Sequence, residues 1–67
     1  MITITINGER RELPQPLPFT DLVETLGLAG KRIAVERNGE IVPRSQFARA
    51  AVADGDTLEI VVAVGGG

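Results

Sequence analysis

Two Asn-Gly dipeptides, Asn7-Gly8 and Asn38-Gly39, constrain this chain more than any other feature. Asn-Gly between strand-like runs is the strongest short signal for a tight hairpin, because both residues tolerate positive φ. Before the first dipeptide, Ile2, Ile4 and Ile6 alternate with Thr3 and Thr5. That period of two predicts a half-buried strand with its isoleucines inward. Glu9 to Leu13 returns antiparallel, and Pro14, Pro16 and Pro18 end it, since proline cannot donate to a ladder. Around the second dipeptide, Ile33 to Arg37 predicts a strand and Glu40 to Val42 a brief return that Pro43 stops.

Between the hairpins lies one helical segment. Thr20 is the expected N-cap, with Asp21 in the first turn where the macrodipole favours an acid. Leu22, Val23 and Leu26 share one face, and Gly27 is the expected C-cap. About two turns long, such a helix needs a sheet to lie on. Arg44 to Arg49 predicts one short helical turn with Phe47 inward, and Asp54-Gly55-Asp56 a tight turn. Thr57 to Val64 then predicts a last strand with Leu58, Ile60, Val62 and Val64 on one face. Pairing that strand beside the first is the cheapest way to bury both Ile/Val faces with one helix. The expected class is α+β: a β-grasp, or ubiquitin-like, fold with a mixed sheet of four to five strands curled around one helix.

At 67 residues the chain is one domain with a small core. It has no cysteine and no histidine, so neither a disulfide framework nor a usual zinc site can staple it. The same absences remove the common nucleophile and general base, and Ser45 lacks a nucleophile-elbow context, so enzyme activity in this chain alone is not expected. The net charge of −2, with two Phe and no Tyr or Trp, argues against nucleic acid. No apolar run approaches a membrane span, and the start lacks the pattern of a signal peptide, so the expected location is cytoplasmic. Arg10, Arg11, Arg37, Arg44 and Arg49 are expected to be solvated surface charges, and Phe19 and Phe47 core. Asp54-Gly55-Asp56 is expected to be a turn and no metal site, because a calcium loop needs more spaced oxygen ligands.

The run Leu58 to Val64 leads into Gly65-Gly66-Gly67. Glycines have no side chain to bury and lose the most backbone freedom on ordering. The expected organisation is a domain over residues 1–64 and a flexible glycine tail over 65–67, reaching at most about 10 Å and carrying a free carboxylate on Gly67. The plain alternative is a frayed terminus. Val61 and Ala63 lie on the opposite face from Val62. They are expected either to form an exposed docking patch beside the tail or to be covered by loops.

Several pieces, in order, resemble the sulfur carrier proteins of thiamine biosynthesis, the ThiS family. They are Ile4-Thr5-Ile6-Asn7-Gly8, the segment from Ala34 to Arg44, the turn Asp54-Gly55-Asp56, and the terminal Gly66-Gly67. Two departures are Phe47, where the family often has Trp, and Gly65, where members vary. The resemblance implies that Gly67 is converted to an acyl-adenylate by a ThiF-type adenylyltransferase, with Gly65 and Gly66 threading the enzyme's channel. It implies that a cysteine desulfurase or another sulfur donor then makes the thiocarboxylate. A ThiG-type thiazole synthase would take the sulfur. The MgATP would belong to the partner, with no cofactor bound by this chain. The rival functions are a carrier for molybdopterin or another sulfur pathway, a ubiquitin-like modifier joined to lysines, and a plain β-grasp interaction module.

Overall fold

The alternating isoleucines become strand β1 (Ile2–Ile6), and the type I′ geometry of Asn7-Gly8, with φ of 51° and 83°, returns the chain as β2 (Glu9–Leu13). A computed structural model of the chain describes residues 1–63. Helix α1 (Phe19–Thr25) follows, then β3 (Ile33–Arg37), β4 (Glu40–Ile41), a short 3₁₀ turn (Arg44–Gln46) and β5 (Thr57–Val62). The sheet order is β2-β1-β5-β3-β4, with β5 parallel to β1 and antiparallel to β3. This is the expected β-grasp arrangement, with five strands and one α-helix.

One face of the sheet carries the core. Ile2, Ile4, Ile6, Leu13, Val35, Leu58 and Ile60 pack against Phe19, Leu22 and Val23 of α1 and against Phe47 and Val52. Burying each large side chain of this kind contributes about 1.5–3 kcal/mol. Phe19 and Phe47 are both core, with ring centroids 6.0 Å apart. No helix among the described residues is long and apolar enough to cross a membrane.

The helix departs from expectation at its start. Pro18 occupies the N-cap, and no side chain caps the first turn. Thr20 is inside the helix. The first-turn donors are satisfied by main chain instead: Phe19 N–H donates to Ala50 O (3.0 Å) and Thr20 N–H to Phe47 O (3.1 Å). Proline's fixed φ suits the entry, and the segment after the 3₁₀ turn supplies the acceptors. At the other end Leu26 is the C-cap and Gly27 follows it at φ 75°. Gly27 N–H donates to Glu24 O (3.0 Å) and Leu28 N–H to Val23 O (2.8 Å), the Schellman pattern.

Strand β5 ends at Val62. Val64, expected to be its last residue, lies outside the described residues. Val62 was expected on the core face, yet it is 38% exposed. The reason is geometric: β1 stops with Ile6 beside Leu58, so only β3 flanks β5 at Val62, through the half-buried Ile33.

Candidate functional site

The strand leading to the glycines is the central one of the sheet. Its two neighbours hold it by more than ladder bonds. Asn7 sits where β1 ends, and its side chain continues the pairing: Asn7 Nδ2 donates to Ile60 O (3.0 Å) and Ile60 N–H donates to Asn7 Oδ1 (2.8 Å). The amide thus copies a peptide unit and extends the parallel ladder by one residue. Asn38 does the corresponding work at the start of β5, accepting from Thr57 N–H (2.9 Å) and donating to Asp56 Oδ1 (3.2 Å). Past the strand, Ala63 N–H donates to Arg32 O (2.8 Å), so the pairing with the β3 side continues beyond Val62.

Below β5 lies a charged cluster that the sequence reading did not find. Asp56 is only 7% exposed. Its Oδ2 accepts from Ala53 N–H (2.8 Å), Arg37 Nε (3.0 Å) and Arg37 Nη2 (2.9 Å). Burial by itself would raise the carboxyl pKa. The Ala53 N–H, the Arg37 and Asn38 donors and the Arg37 charge together outweigh it and hold the pKa below the ordinary value. Arg37 also donates to Ala51 O (2.7 Å), and its guanidinium lies 5.6 Å from the centre of the Phe19 ring. The expectation that Arg37 is a solvated surface charge is therefore corrected. A signal was available: alternation puts Arg37 on the same face as Ile33 and Val35, and an arginine there needs a partner.

The loop Asp54-Gly55-Asp56 is a turn whose carboxylates serve separate ends. Asp54 Oδ1 accepts from Thr3 N–H (2.7 Å), while Asp56 turns inward to Arg37.

Of the expected site residues, Gly65, Gly66 and Gly67 lie outside the described residues. Val61 and Ala63 are exposed, Val61 to 62%, so of the two readings for this pair the open face is the one observed. Val61 stands opposite the exposed Ala34 on β3.

A one-helix, five-stranded β-grasp sheet, with its central strand leading into the glycines and its outer face open, defines a small ubiquitin-like domain. The ThiS family's sequence model matches residues 4–67. The crystal structure of a thiamine biosynthesis protein (ThiS) from Geobacter metallireducens superposes with a TM-score of 0.84 at 33% identity, covering 98% of this chain and all of that one. The chain belongs to the ThiS family. It is 40% identical over 47 residues to the sulfur carrier protein ThiS of Bacillus subtilis, covering 70% of this chain and 71% of that one. It is also 48% identical over 64 residues to a thiazole synthase of Paramagnetospirillum magneticum, covering 96% of this chain. There it spans only 20% of the relative's length.

Proposed function

We propose that this chain is a sulfur carrier for thiazole formation in thiamine biosynthesis, working in the cytoplasm as a protein cosubstrate and not as an enzyme. The observation that carries this reading is the family match, which runs through Gly67. The Gly67 carboxylate is a poor acyl donor. Attack of its oxygen on the α-phosphate of MgATP, held by a ThiF-type adenylyltransferase, releases pyrophosphate and leaves an acyl-adenylate. The terminal sulfur of a persulfide, charged by a cysteine desulfurase, attacks that carbonyl and AMP leaves. A second thiol then cleaves the S–S bond, forming a disulfide with the donor and freeing the thiocarboxylate for a ThiG-type thiazole synthase. Gly65 and Gly66, with no Cβ, suit a narrow channel leading to the adenylylation site. Val61 and Ala63, exposed on the outer face, supply apolar contact for a partner enzyme.

The test is an intact mass before and after incubation with ATP, the activating enzyme and a sulfur donor. The expected result is a gain equal to replacing one oxygen by sulfur, absent when Gly67 is deleted. An unchanged mass with an active enzyme would refute the carrier reading. Attachment to another protein would point to a modifier.

A further inference from the structure

The outer face of the sheet holds a feature that works against the fold. Glu36 on β3 and Glu59 on β5 stand directly opposite one another in the ladder, and both are exposed. Like charges at opposed cross-strand positions weaken the pairing. Neither carboxylate enters an ion pair among the described residues. Apolar side chains bracket them: Ala34 and Val61 form the next outward-facing pair, and Ile41 on β4 stands opposite Glu36. Ile41 and Val61 are each 62% exposed. Directly opposed residues share a face, so these five residues form one strip with two carboxylates at its centre.

An exposed apolar patch marks a contact, and the carboxylates specify its chemistry. A guanidinium or ammonium placed between Glu36 and Glu59 would be shared by both and would cancel their repulsion, which no ion pair among the described residues does. We propose that this strip docks onto a thiazole synthase through one such cationic side chain, flanked by apolar side chains that cover Ala34, Val61 and Ile41. The inference rests on the carrier reading above. A thiazole synthase is the occupant because the relative from P. magneticum, 48% identical, contains a region like this one as a fifth of its length. The geometry suits delivery: Val61 is followed by six residues to Gly67, a reach of at most about 20 Å from the contact.

The experiment uses the full chain and a purified thiazole synthase of the same organism. The double variant Glu36→Gln/Glu59→Gln is compared with Glu12→Gln, which removes a charge from the β2 end of the same face, opposite Thr3. The expected result is a thermal midpoint for the double variant at or above wild type, with binding to the synthase weakened about tenfold or more and less sensitive to salt. Glu12→Gln should bind like wild type. Unchanged binding by the double variant, or equal weakening in Glu12→Gln, would overturn the proposal. So would a double variant that binds the synthase normally but is no longer adenylylated, since the activating enzyme would then be the occupant. The mass gain of the wild-type chain is measured in the same series. Its absence refutes the carrier reading, whereas a wild-type gain beside normal synthase binding by the variant refutes the docking site alone.

Discussion

Asn7 does two things that a single residue type must reconcile. It turns the chain at φ 51°, and its amide pairs with both main-chain groups of Ile60. Only the first was legible, because Asn-Gly announces the turn and says nothing about a strand that lies 53 residues away in sequence. Asn7→Gly should keep the turn and lose the pairing, costing about 1–2 kcal/mol in urea unfolding. Asn7→Asp should cost more, since a carboxylate would face the Ile60 carbonyl. If Asp proves milder than Gly, the amide pairing is not what Asn7 contributes. At Asp56 the sign of the pH dependence follows from the lowered pKa. A carboxylate whose folded-state pKa lies below its unfolded value of about 3.9 adds stability that is fully present above that value and is lost as pH falls through the folded one. Thermal midpoints should therefore hold from neutral pH to about pH 5 and decline below about pH 4. Asp56→Asn should lower stability at neutral pH by about 1–3 kcal/mol, because the partly exposed Arg37 loses its charged acceptor, and should flatten the acid decline. A variant as stable as wild type at pH 7 would mean that the cluster is not stabilising.

Among the elements, β1, β2, β3 and the 3₁₀ turn were legible because each is specified by local alternation or by a proline stop. The helix entry was not. Its first donors are satisfied by Ala50 O and Phe47 O, which belong to the segment beyond the second hairpin. A side-chain cap was the local solution to look for, and the tertiary one replaced it. The exit was legible as a glycine, although Gly27 is the residue after the cap. A Cβ there meets nothing within 4 Å, so Gly27→Ala should cost only the left-handed backbone penalty, about 1–2 kcal/mol. A loss much beyond that in urea unfolding would mean that packing is disturbed too. Within β5, neighbouring residues should answer differently. Val61→Glu, on the open face, should change stability by less than about 0.5 kcal/mol and should weaken partner binding. Ile60→Glu, into the core, should abolish the folded state. Circular dichroism would separate the two, and an unfolded Val61→Glu would show that the outer face is part of the core after all.

At the scale of the whole molecule, the pairing of β1 with β5 was inferred only from economy of burial, since periodicity carries no information about partners. It is the contact that organises the domain: β1 and β5 come from opposite ends of the described chain, and β5 joins the β1–β2 hairpin to the β3–β4 pair. A chain stopped after Asp56 should therefore fail to fold, because both hairpins lose their common neighbour. One stopped after Ala63 should melt within error of the full chain, because every described element remains. A lowered midpoint in the second case would show that residues 64–67 contribute to the fold. The candidate site was legible to a different degree at each place. The glycines announce themselves by composition and Val61 by parity. The opposed Glu36 and Glu59 could not be seen until the register of β3 on β5 was known.

The central position of β5 also has a mechanical consequence. Because β5 runs parallel to β1, a pull on its far end against the start of the chain is directed along the strands. It loads the hydrogen bonds between β1 and β5 in shear, so they must fail together. An edge strand such as β4 would instead peel away one bond at a time. Among the described strands, β5 therefore resists a pull toward the glycines better than the edge strands β2 and β4 would.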